Sequence, residues 1–227
     1  MLKIHGVPFS AHTRKVIIAA IEKGIPYEIV QVIPLTPPAG WQDVSPLGLI
    51  PIIQDDDFTL ADSTAICQYL DRAYPGATSL YPGDARQFAR VLWLEEFVDS
   101  GLAPHVLRGL LMQRVFAPKF LGKAPDEALI QTSLTQMIPA RFAYLEQALR
   151  GEWFVANAFS MADIAVASIL MNFHFAGEVV DAGRYPKLAR FLDRALARPS
   201  FRQALQAEIP AARSVGALDL RVYDNAA

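Results

Sequence analysis

The apolar positions of the chain keep two periods, and the change falls near Asp84. In the first third they come as short alternating or β-branched runs divided by turn residues, which is the signature of strands. Leu2–His5 is one such run and Tyr27–Val32 another. Between them the apolar residues from Thr13 to Lys23 take helical spacing, and Gly24 stands where helices end in the left-handed conformation. Pro51 opens a third strand through Ile52 and Ile53, a place where proline need donate no ladder bond. Asp55-Asp56-Asp57 makes a polar turn, and Phe58-Thr59-Leu60 returns as a fourth strand. Asp62-Ser63 then starts a helix with Ile66, Tyr69, Leu70 and Ala73 at helical spacing. Ile33 to Gly40 is rich in proline and reads as an irregular connection, with a helical turn near Trp41 to Val44. The predicted order is βαβαββα.

Pro75-Gly76 and Pro82-Gly83 bracket a linker, and beyond it strand patterns vanish. Asp84 to Phe116 predicts a long helix kinked at Pro104, and Asp126 to Arg150 another bent at Pro139. Shorter helices are expected over Met161 to Ala176, Pro186 to Ala197 and Pro199 to Glu208, followed by a tail from Ala211. Ser160-Met161-Ala162-Asp163 is a capping box with Asp in place of Glu, and Phe159 with Ile164 occupies the positions of a hydrophobic staple.

Composition narrows the class without naming it. At 227 residues and 52% hydrophobic content the chain can bury sizeable cores in one large or two ordinary domains. A net charge of −2 with no dominant basic patch argues against nucleic acid as a partner. Cys67 is the single cysteine, which fits a reducing compartment, and small buried packing is its expected role. The N-terminal residues lack the apolar core of a signal peptide, and the run from Ile164 to Met171 is too short for a bilayer. The expected location is the cytoplasm, with no membrane association. His5, His12, His105 and His174 lack ligand spacing, so no metal is expected, and no Gly-x-Ser-x-Gly is present.

The succession of Leu49-Ile50-Pro51, strand, hairpin, Asp62-Ser63 and helix resembles the glutathione site of the cytosolic glutathione transferases. Trp153-Phe154 with Ala162-Asp163-Ile164-Ala165, and Tyr185 to Leu192 with Ala197 to Phe201, resemble that family's later helices, so the likeness runs from about residue 2 to 206. The resemblance, closest to serine-type members of the phi, theta and zeta kind, implies a fold of two parts. Residues 1–77 would form an α/β thioredoxin-like glutathione-binding domain and 84–210 an all-α substrate-binding domain, with 211–227 a C-terminal tail. It also implies a cis peptide bond before Pro51, a homodimer built from unlike halves, and glutathione as co-substrate in detoxifying transfer to small hydrophobic electrophiles.

Site residues follow from the same resemblance. Ser10 stands five residues before Lys15-Val16, where serine-type members carry the hydroxyl that donates to the glutathione sulfur. Serine also caps helices, but Thr13 is placed for that duty, and Thr13 and His12 are further candidates. Ile50 and Pro51 would hold the cysteinyl backbone, Asp62 the ligand's ammonium, and Ser63 the γ-glutamyl carboxylate at a helix N-terminus. His105, Arg108 and Met112, with Leu107, Leu111 and Phe116, are suited to line an electrophile pocket.

Three departures open a second reading. Asp62 stands where the family usually has Glu or Gln, and Leu49 where several classes have Gln. No Lys, Arg or His occurs between Lys23 and Arg72, so a cation for the glycyl carboxylate would have to come from Arg14, Arg108, Arg114 or a second subunit. The alternative is a non-catalytic binding or regulatory protein of the same fold with weak or no glutathione affinity; a weaker third reading is a carrier of apolar ligands.

Overall fold

A computed structural model describes residues 1–75 and 79–221. Gly76 of the expected linker, the expected domain end at residue 77 and the last six tail residues lie outside them. The first part runs β1 (Leu2–Gly6), α1 (Ala11–Glu22), β2 (Tyr27–Gln31), α2 (Trp41–Val44), β3 (Ile52–Asp55), β4 (Phe58–Ala61) and α3 (Ser63–Ala73). This is the predicted βαβαββα order. The strands form one sheet in the order β2-β1-β3-β4, with β1 and β2 parallel and the other two pairings antiparallel. Strand alternation divides the two faces. Ile53 joins Ile4, Ile17, Ile18, Ile66 and Leu70 in the core under α1 and α3, while Ile52 packs with Val32 and Trp41 on the other side.

The second part is helical: α4 (Ala85–Glu96), α5 (Ala117–Leu121), α6 (Glu127–Thr132), α7 (Ile138–Ala148), α8 (Met161–Phe175), α9 (Pro186–Leu196) and α10 (Pro199–Val215). Phe97–Leu102 and Pro104–Phe116 join α4 to α5 without a break, and Ser133–Met137 joins α6 to α7. In these joining turns the bonds reach back five residues, as from Ala103 to Val98, Ala117 to Met112 and Ile138 to Ser133. Each wide stretch ends within two residues of a proline, Pro104, Pro118 or Pro139. Proline lacks the N–H and crowds the carbonyl four residues back, and a widened turn accommodates both. The first long helix therefore continues past its expected end at Phe116 to Leu121.

The last helix is also longer than the expected Pro199–Glu208. It passes through the exposed Pro210, because Ala204, Leu205, Glu208 and Ala212 keep one buried stripe across it. The expected tail at Ala211 is thus still helical. α8 is the centre of the helical part, with every residue buried except His174, and it packs on α1. Its start is fixed as predicted: the Asp163 carboxylate accepts from Ser160 N–H and Oγ–H, both at 2.9 Å, and from Phe154 N–H at 3.0 Å. Burial pushes Asp163 up to about 7 against those donors.

Candidate active site

Sheet register decides which loops meet. His5 near the end of β1 pairs with Ile52, and Ile52 pairs with Ala61. The loop from β1 to Ser10, the Ile50–Pro51 entry to β3 and the Asp62–Ser63 exit from β4 therefore lie together at one end of the sheet. α1 and α3 both begin there, so two sets of unpaired N–H groups and two positive dipole ends face the same region.

Ser10, not Thr13, is the N-cap of α1, which corrects the expectation that Thr13 would take this duty. The Ser10 Oγ accepts from Thr13 N–H at a long 3.4 Å. The helix starts earlier than its apolar pattern suggests, and Thr13 is buried against Gly6, where a β-carbon would lie 2.6 Å from its hydroxyl oxygen. Capping uses the acceptor side of the Ser10 hydroxyl. Its proton is given to no described residue, so a half-buried donor is left at the helix mouth.

Ile50–Pro51 is a cis bond, as the resemblance implied. Ile50 precedes the ladder, and neither its N–H nor its carbonyl takes part in a backbone hydrogen bond among the described residues. Asp62 caps α3 at φ 73°, a left-handed value uncommon outside glycine. Its Oδ1 accepts from Thr64 and Ala65 N–H at 3.0 Å each, leaving Oδ2 toward solvent. Ser63, the first helical residue, is buried, and its hydroxyl bonds to no described residue. Trp41, also buried beside Ile50, has an indole N–H with no described partner.

Beneath this end lies a polar cluster that sequence reasoning missed. The buried Lys15 Nζ lies 2.6 Å from Asp99 Oδ2, 2.8 Å from Glu95 Oε1 and 3.0 Å from Thr64 Oγ1. Thr64 also donates to Glu95 at 3.0 Å, and Tyr81 donates to Glu95 at 2.9 Å. α1, the first turn of α3 and α4 are stitched by one ammonium. Burial works against that ammonium, but Glu95 and Asp99 outweigh it and hold Lys15 above its ordinary range. Burial likewise raises Glu95. His12 Nδ1 sits 3.5 Å from Asp99; burial lowers its pKa, with Asp99 opposing. Cys67 is fully buried, and burial pushes its thiol well up.

Arg14 and Arg114 cannot serve a ligand carboxylate. Arg14 is fully buried, donating to both Glu208 oxygens at 2.7 and 2.6 Å, to Asn172 Oδ1 at 2.9 Å, and to the carbonyls of Ser168 and Phe9. Arg114 is held by Glu178 at 2.7 Å and by the Ala176 carbonyl. Of the expected pocket residues, Phe116 is brought to the site: it meets Phe9, the neighbour of Ser10, edge-on at 6.0 Å, and Phe9 stacks on Phe175 at 4.8 Å. Met112 is half-buried and Arg108 exposed; neither has a described contact with Ser10. His105 is lowered by burial and by Arg141 on α7. Among the described residues no cluster of His, Cys, Asp or Glu could hold a metal ion, and no helix is long and apolar enough to cross a membrane.

Residues 4–78 match the family model for the glutathione S-transferase N-terminal domain, and residues 112–208 match that for its C-terminal domain. The chain is 30% identical over 216 residues to a glutathione S-transferase of Triticum aestivum, covering 93% of this chain and 96% of that one. It is 34% identical over 157 residues to glutathione S-transferase theta-1 of Bos taurus, a stretch spanning 66% of this chain but only 62% of the bovine protein. The solved glutathione S-transferase of Sinorhizobium meliloti 1021 superposes with a TM-score of 0.86 at 26% identity, over 99% of both chains. One from Methylobacillus flagellatus KT, solved with glutathione bound, gives 0.75 at 29% identity, over 90% of this chain and 98% of that one. With both domain models matched in order along one chain, and a near full-length relative at 30% identity, this protein belongs to the glutathione S-transferase family.

Proposed function

We propose that the protein transfers glutathione, as its thiolate, to small hydrophobic electrophiles. The observation that carries this reading is the convergence of Ser10, Ile50 and Asp62–Ser63 at one sheet end, beside two helix N-termini. Ser10 donates its unused proton to sulfur. Ile50 offers N–H and C=O to the cysteinyl backbone, with Pro51 setting their direction. Asp62 Oδ2 takes the ammonium, and Ser63 with the α3 N-terminus takes the γ-glutamyl carboxylate. Trp41 supplies a neutral donor near the remaining carboxylate, so no cation is required from the cation-free stretch between Lys23 and Arg72. Phe9 and Phe116 form the apolar wall against which the electrophile rests, extended by Met112, Arg108 and His105.

Magnitudes agree. Lowering a thiol from about 8.5 by two units requires ~2.7 kcal/mol of thiolate preference. One hydroxyl bond to a charged acceptor supplies about 1.5–3 kcal/mol, and a helix N-terminus roughly 0.3–1 more. The relatives are named as transferases, and nothing in them supports the non-catalytic alternative. A cytoplasmic, detoxifying homodimer goes with this reading; the exposed Leu47, Phe58 and Trp93 are apolar surface that a second copy would cover.

Ser10→Ala tests the assignment. Titrating the ultraviolet absorbance of bound thiolate should show ionisation near neutral pH in the parent and a pKa about one to two units higher in the variant, with glutathione still bound. An unchanged thiol pKa in Ser10→Ala would remove Ser10 from the chemistry.

A further inference from the structure

Between α9 and the turn after α7 lies a groove of about 450 Å³ that shares no residue with the site above. Four of its lining side chains are cations, Arg150, Lys187, Arg190 and Arg194, against one carboxylate, Glu152. Lys187, Arg190 and Arg194 are three and four residues apart on α9 and so share one face. The two outer ones are pinned to the turn: Lys187 Nζ donates to the Leu149 carbonyl at 3.2 Å and Arg194 Nη1 to the Glu152 carbonyl at 2.7 Å. Arg194 also lies 5.7 Å over the Trp153 ring. Asn157, at φ 51°, accepts the Glu152 N–H at 2.9 Å and fixes the turn itself.

The middle cation, Arg190, and Arg150 on the turn have guanidinium groups with no hydrogen bond or ion pair among the described residues. None of the four cations lies within ion-pair distance of Glu152 or of any other described carboxylate. The chain as a whole is at −2, so this knot of positive charge does not follow from a basic composition. Four like charges around one concavity draw anions to it. Guanidinium forks match the paired oxygens of phosphate, and the volume falls within the range of small-molecule sites. A second groove of about 390 Å³ adjoins it through Arg150, with Arg90, Leu94, Tyr144 and Phe154 among its walls.

We propose that this groove binds a diphosphate group, with Arg150 and Arg190 as its bidentate partners and Lys187 and Arg194 holding the walls. The shared chemistry is that of free pyrophosphate and of a nucleoside diphosphate, whose organic part would enter the adjoining Tyr144–Phe154 groove.

Calorimetric titration of the full chain with pyrophosphate, ADP and sulfate, at one ionic strength, tests this. One saturable site per chain is expected for a diphosphate, weakened at least about tenfold in the Arg150→Ala/Arg190→Ala variant, with glutathione-dependent activity and melting temperature unchanged. Tighter binding of ADP identifies a nucleotide, equal binding the diphosphate alone, and either supports the site. Absence of saturable heat to about 10 mM, an affinity unchanged in the double variant, or sulfate binding as tightly as pyrophosphate overturns it.

Discussion

Lys15→Met probes the joint between the helices whose N-termini flank the proposed glutathione site. Methionine keeps the stem volume of the buried lysine but removes the charge that Asp99, Glu95 and Thr64 share at 2.6, 2.8 and 3.0 Å. Removing one member of a buried, hydrogen-bonded ion pair costs about 3–5 kcal/mol, since the remaining carboxylates stay desolvated without compensation. In a chain of this size each kcal/mol shifts the midpoint by about 2–4 °C, so melting should fall by roughly 6–20 °C. The loss should shrink on acidification. Burial already raises Glu95 above its ordinary 4.5 while Lys15 restrains it. Without Lys15 the folded state binds protons at Glu95 more readily than the unfolded state does. Its stability therefore rises as pH falls toward the ordinary carboxylate range, relative to the parent. Scanning calorimetry of both proteins between about pH 8 and 5 reads this directly. A melting difference under about 2 °C, or one that widens toward acid, would refute the reasoning. The KM for glutathione should rise in the same variant, because Thr64 follows Ser63 in the first turn of α3, the helix start proposed to hold the γ-glutamyl carboxylate.

Arg14→Met should cost about 3–5 kcal/mol by removing the buried cation that Glu208, Asn172 and two carbonyls share, and a double-mutant cycle with Glu208→Gln by urea unfolding should show a favourable Arg14–Glu208 coupling; additive losses would refute it. His174 is lowered, first by burial, so below about 6.5 the unfolded state binds more protons and stability falls as the pH falls. His174→Gln should flatten that acid slope, by at most about 1.4 kcal/mol per pH unit, in thermal melts from about pH 7 to 5. At Asp62 the cap and the backbone separate: Asp62→Ala should cost about 0.5–2 kcal/mol for the lost cap, plus the strain of φ 73°, while Asp62→Gly should cost only tenths. Both should lose glutathione affinity by titration if Oδ2 holds the ammonium, so affinity and stability need not move together.

Signals carried by a few adjacent residues were legible in the chain: the strand periods, the Pro51 entry, the Asp56 turn, and the Ser160–Asp163 box that starts α8. Decisions that depended on a distant contact were not. Ser10 and Thr13 are equally good caps on paper; Thr13 was removed from contention by its packing on Gly6 across the β1–α1 loop. Pro104 and Pro139 read locally as kinks, yet widened turns carry the helices through them, and a continuing buried stripe carries the last helix past its expected end at Glu208 and through Pro210. Arg14 looked available because its partner Glu208 lies 194 residues away, on the last helix. Lys15 was read as a mark beside Ser10, although its partners Glu95 and Asp99 come from beyond the linker. The buried charges therefore tie the first part of the chain to the second at the two residues that immediately follow Thr13. It follows that the five-residue spacing from Ser10 to Lys15, proposed above for its chemistry, also serves structure: α1 holds the Ser10 hydroxyl at the sheet end while Arg14 and Lys15 reach α8, α10 and α4 from the next turn of the same helix.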